Sequence, residues 1–142
     1  MGVTIQFYII IVTLTTILGI GIARFKILDF GSKIFCILFG LCFVTESIGY
    51  YTAKKYHTNL LTYNIYDLVE FFLVCLYFNS TIDVFANKKI GIYIGSLGVI
   101  IGLLTMRSIH PSSQINTYFI FFEGFCITGM SLFSFYKILL NN

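Results

Sequence analysis

Residues 62–78 read TYNIYDLVEFFLVCLYF, an apolar run that carries two carboxylates, Asp67 and Glu70. The run is long enough to serve as most of a membrane-spanning helix, which needs about 20 mainly apolar residues. Tyr63, Asp67, Glu70, Val74 and Tyr77 follow i, i+4, i+7, i+11 and i+14, so they share one helical face, and Tyr66 stands one turn before Glu70. A face that holds acids and phenols inside an apolar helix is expected to turn toward protein or trapped water rather than lipid.

The rest of the chain has the same character. Of 142 residues, 58% are hydrophobic and 11% charged, against about a quarter charged in soluble domains. So few charges cannot cover a water-facing surface of this size. Spans are expected near residues 5–23, 34–51, 60–78, 90–106 and 115–137, forming one all-α, polytopic membrane helical bundle over residues 1–142. The N-terminal apolar run has no basic leader and no small-residue cleavage site, so it reads as a first span that is retained. Ser32, Asn59 and Ser113 are the expected N-caps of the second, third and fifth spans, and the single proline, Pro111, falls in the last loop.

Lysine and arginine orient the bundle. Arg24, Lys26, Lys33, Lys88, Lys89 and Lys137 fall on one side, and Lys54, Lys55 and Arg107 on the other. The excess places the N-terminus outside and the C-terminus in the cytoplasm. The net charge of +3 is spread thinly, which excludes a nucleic-acid-binding surface. The four cysteines, Cys36, Cys42, Cys75 and Cys126, lie in apolar runs without C-x-x-C spacing and read as small hydrophobes.

The fourth span carries Gly91, Gly95, Gly98 and Gly102 on one face. Such a stripe lets another helix approach closely, either a neighbour in the chain or a second copy. Two further acids lie within spans, Glu46 in the second and Glu123 in the fifth. At a rise of about 1.5 Å per residue, Glu46 lies roughly 8 Å from the Tyr51 end of its span, Asp67 and Glu70 roughly 10 and 15 Å in from Leu60, and Glu123 roughly 12 Å in from Ile115. Tyr51, Leu60 and Ile115 all belong to one membrane face, so these acids share one half of the bilayer in either orientation. An isolated carboxylate there costs about 2.5–3.5 kcal/mol. Hydrogen bonding to Tyr63, Asn64, Tyr66, Asn116 and Tyr118, or a bound cation, would relieve that cost.

His57 and His110 lie in loops on the same face, but no Glu-x-x-His pair places metal ligands on one helical turn, and no metal is expected. Nucleotide, hydrolase and zinc-protease motifs are absent, so no cofactor is expected. The stretches NIYDLVEFF (64–72) and NTYFIFFEGF (116–125) form a faint repeat, Asn-x-Tyr followed by Glu, with a one-residue mismatch that also fits the ordinary preference of Asn and Tyr for helix entrances.

At ESIGYY…NLLTYNIYDLVEFF and QINTYFIFFEG…LFSFYKIL the chain resembles a family of uncharacterised multi-pass membrane proteins common in Bacteroidetes. Glu46, Tyr63, Asn64, Tyr66, Glu70, Asn116, Tyr118 and Glu123 match that family's pattern, while Thr62, Ile115 and Thr117 depart from it. The resemblance implies a bacterial inner membrane and a role for the acids, and no reaction. The expectation is a non-enzymatic subunit or sensor-like module that works through a membrane-protein partner or a homo-oligomer. Two alternatives stand beside it: a small transporter or oligomeric pore using the buried carboxylates, and a lipid-acting enzyme using Asp67 and Glu70.

Overall fold

The computed structural model describes residues 2–109 and 114–140. Over these residues the chain forms α1 (Gly2–Arg24), α2 (Phe30–Tyr56), α3 (Leu60–Thr81), α4 (Asp83–Lys88), α5 (Ile90–Ser108) and α6 (Thr117–Leu140). All except α4 are long and apolar enough to cross a membrane. The expected His110, Pro111 and Ser113 features lie outside the described residues.

Several boundaries differ from the sequence expectation, for local reasons. α2 begins at Phe30 because Asp29, not Ser32, is its N-cap. The Asp29 carboxylate accepts from the backbone N–H of Ser32 at 3.2 Å and from its hydroxyl at 2.5 Å. Ser32 is thus the partner of the cap. α2 continues past Tyr51 to Tyr56, with Lys54 and Lys55 in its last turn, where cations favour a helix C-terminus. His57 then ends it in the left-handed region, at φ 58°. Asn59 holds the N-cap position of α3 without a side-chain cap bond. The stretch between the third and fourth spans, expected as a loop, contains α4, whose Phe85 is buried and stacks on Phe133 of α6.

These cap bonds hold the Asp29 carboxyl below its ordinary value of 3.8, chiefly through the Ser32 side chain and backbone. A depressed folded-state value means the cap is in place above the ordinary value and is lost as pH falls through the depressed one. First-turn amides of α2 are therefore expected to lose hydrogen-exchange protection once pH falls well below the ordinary carboxyl value and to keep it at neutral pH. An Asp29→Ala variant should lack that protection at both, and a first turn indifferent to pH and to this substitution would contradict the cap.

α3 is the hub of the bundle, packing against α2, α4, α5 and α6, whereas α1 packs only on α2 among the described residues. The tightest interface is α3 with α5. Gly91, Gly95, Gly98 and Gly102 are all buried there, facing Asn79, Phe72 and Cys75, Phe71, and Leu68 in turn. The glycine stripe is filled within the chain. Phe71 and Phe119 meet edge-on with ring centroids 5.7 Å apart, joining α6 to the same core. Outside this core the helices present apolar side chains outward, such as Phe121 and Phe125, a surface suited to hydrocarbon rather than water.

Candidate functional site

The α5 interface consumes one side of α3, and α2 takes another. Asp67 and Glu70 lie on α3, which packs on both α2 and α6, two helices whose backbones do not approach each other closely among the described residues. Glu123 of α6 lies within electrostatic range of both Glu70 and Asp67. All three carboxylates are half-buried. The Tyr66 phenol, one turn before Glu70, is a hydrogen-bonding neighbour of the Glu70 carboxylate and of the Cys42 thiol on α2. Asp67, Glu70, Glu123 and Tyr66 are thus neighbours across α3 and α6, and Cys42 of α2, expected as a small hydrophobe, stands beside Tyr66.

Glu46 sits on α2 beside this group, with the Cys42 thiol within electrostatic range of both Glu46 and Glu70. Its Oε2 accepts from the Tyr63 hydroxyl at 3.2 Å. Gly49, one turn further along α2, leaves room for the Tyr63 ring tip. Glu46 and Tyr63 line a cavity of about 220 Å³ with Gln6 and Phe7 of α1, Tyr50 of α2 and Asn59. Phe7 stacks on Tyr50 at 4.1 Å between centroids, which holds the first helix over this cavity. Gln6 is the one amide in the apolar run of α1 and was legible as an oddity; its role as a lining residue needed the packing of α1 on α2.

Asn64 and Asn116, expected to serve the acids, are instead joined to each other. Both are 1% exposed. The Asn64 carbonyl accepts from the Asn116 backbone N–H at 2.9 Å, and its amide donates to the Gln114 carbonyl at 2.9 Å. The Asn116 amide donates to Thr105 Oγ1 at 2.8 Å and to the Gly102 carbonyl at 3.3 Å. Its own carbonyl accepts from the Phe119 N–H at 3.3 Å, which caps α6. This clasp ties α3, the end of α5 and the start of α6 into one polar knot. Each asparagine offers donors and an acceptor on one planar group, which is why a pair of them can satisfy so many buried backbone groups at once. Tyr118 is 74% exposed and belongs to neither group.

Among the described residues no three His, Cys, Asp or Glu side chains converge closely enough to hold a metal ion. His57 is exposed at the end of α2. The arrangement is suited to accepting hydrogen bonds and positive charge. Its carboxylates lie within electrostatic range of one another, with no cation of the chain paired to them among the described residues. No family model, curated protein or solved structure matches the chain.

Proposed function

We propose that the protein is a polytopic bacterial inner-membrane protein that acts without catalysis, as a subunit or sensor-like module of a membrane complex. The N-terminus lies outside and the C-terminus in the cytoplasm, following the distribution of Lys and Arg. The partner places a helix or side chain carrying donors or positive charge into the cleft between α2 and α6. One observation carries this reading: Asp67, Glu70 and Glu123, on α3 and α6, lie within electrostatic range of one another, with no cation of the chain paired to them among the described residues. Carboxylates in a hydrocarbon setting are tolerated when paired or hydrogen-bonded; Tyr66 stands beside Glu70, and a donor or cation from a partner would complete the pairing of the three acids. The connecting segments between the described helices are too short to hold an output domain.

The test is a gentle detergent purification from the native host, with mass spectrometry of what co-purifies. The expected result is a stoichiometric membrane-protein partner whose recovery drops about tenfold or more with Glu70→Gln and Glu123→Gln together, as loss of a charge-assisted bond predicts. A lone homo-oligomer that conducts ions in liposomes would overturn the reading in favour of a pore.

A further inference from the structure

At the other end of the same face of α3, a second cavity of about 350 Å³ opens between α3, α4 and α6. Its volume is at the low end for small-ligand sites and suits a compact polar group. Its wall combines one cation and one anion, Lys137 of α6 and Asp83 in the first turn of α4, with the hydroxyl-bearing Tyr77, Thr81 and Ser134 and an apolar remainder that includes Phe78. Among the described residues Lys137 and Asp83 form no ion pair, with each other or elsewhere, and neither makes a side-chain hydrogen bond. Ser134 is also unengaged, whereas the Thr81 hydroxyl donates to the Tyr77 carbonyl. The free donors are therefore the ammonium of Lys137 and the hydroxyls of Ser134 and Tyr77, and the free acceptor is the carboxylate of Asp83.

The cavity lies at helix ends. Asp83 follows the C-terminus of α3, and Lys137 is three residues before the last residue of α6. In a spanning bundle this is the level of the phospholipid headgroups, and a half-buried lysine there extends its ammonium toward the phosphate layer. An anionic headgroup alone would meet Lys137 but be opposed by Asp83. A cation alone would meet the reverse. A zwitterion with a phosphate at one end and an amine at the other satisfies both walls. A primary ammonium also donates hydrogen bonds to a carboxylate, which a trimethylated one cannot do.

We propose that this cavity is a binding site for the headgroup of an ethanolamine phospholipid, with the phosphate on Lys137 and Ser134 and the ammonium on Asp83. The proposal rests on the membrane placement and is independent of the partner. It is tested on the full-length protein, purified in detergent and titrated with phosphatidylethanolamine, phosphatidylglycerol and phosphatidylcholine of identical acyl chains, reading retained lipid by native mass spectrometry. Phosphatidylethanolamine is expected to be retained at one per chain, at least about tenfold more tightly than the other two. Lys137→Gln should lower retention of phosphatidylethanolamine and phosphatidylglycerol alike. Asp83→Asn should abolish the preference for phosphatidylethanolamine and improve retention of phosphatidylglycerol. Both substitutions are at sites outside the buried core, and unchanged helical circular dichroism verifies the fold. Equal retention of the three lipids, or a preference that ignores both substitutions, would overturn the site. So would saturation by soluble glycerophosphoethanolamine at the same concentration as the lipid.

Discussion

Alanine at Gly98 or Gly102 will lower the stability of the bundle by about 1–3 kcal/mol at each position, the usual cost of forcing volume into a packed core. A methyl group at Gly98 would overlap the Phe71 ring, and one at Gly102 would overlap the Leu68 side chain and approach the Phe119 ring to 2.9 Å. Phe71 is fully buried and Phe119 1% exposed, so neither ring has space into which to retreat. The helices must separate instead. The comparison that isolates this effect lies within the same chain, because Gly124 and Gly129 of α6 have nothing within 4 Å of such a methyl. Alanine there should be neutral or stabilising by up to about 1 kcal/mol, from helix propensity alone. Unfolding in mixed micelles followed by circular dichroism would read all four variants. Equal behaviour of the two pairs would mean that α5 does not pack on α3 through its glycines. Phe71→Leu added to Gly98→Ala should recover part of the loss, because it removes the ring the methyl strikes.

Replacing Asn116 with Leu should be comparably damaging for a different reason. It removes the cap of α6, which costs about 0.5–2 kcal/mol. It also removes the donors that hold the ends of α5 and α6 together. Asn64→Leu strands the buried Asn116 N–H, at about 1–3 kcal/mol. Because the two side chains belong to one network, the double variant should lose less than the two single losses added together, with a coupling of about 0.5–3 kcal/mol. Strict additivity would show that the asparagines act separately and would remove the clasp from the account.

The five long apolar helices are legible in the sequence because runs of apolar residues of that length have few alternatives. Their ends are less so. Two residues with side-chain oxygen compete for the start of α2, and only the bonds show that Asp29 accepts and Ser32 donates. α4 is too short and too mixed to announce itself; it forms because Phe85 finds Phe133 of α6, a contact remote in sequence. The glycine stripe is visible as a period, but a period carries no partner, and the choice between a neighbouring helix and a second copy is made by the fit of Phe71 and Leu68 into it.

The acid face follows the same logic. Helical spacing places Asp67 and Glu70 together, and depth counting places Glu123 at a similar level. Helical spacing also separates Asn64 from that face, about 100° from Tyr63 around the helix. Where it goes was hidden, because the connection to Asn116 spans 52 residues and depends on how α6 enters the bundle. Likewise Glu46 shares the depth of the other acids, and the packing of α1 on α2 adds Gln6 to the cavity it lines. Depth is one-dimensional, and the lateral arrangement of helices decides which carboxylates meet.

The central claim is that the cleft between α2 and α6 receives another membrane protein. The direct measurement is site-specific photo-crosslinking in the native membrane, with the photoreactive residue at Val74, which lies on the acid-bearing face of α3, and at Leu103, which is 55% exposed on α5. A discrete crosslink to one other membrane protein is expected from position 74 and none from position 103, with the first lost when Glu70 and Glu123 are both changed to Gln. Crosslinks from position 74 to lipid alone, or to a second copy of the same chain, would contradict that claim.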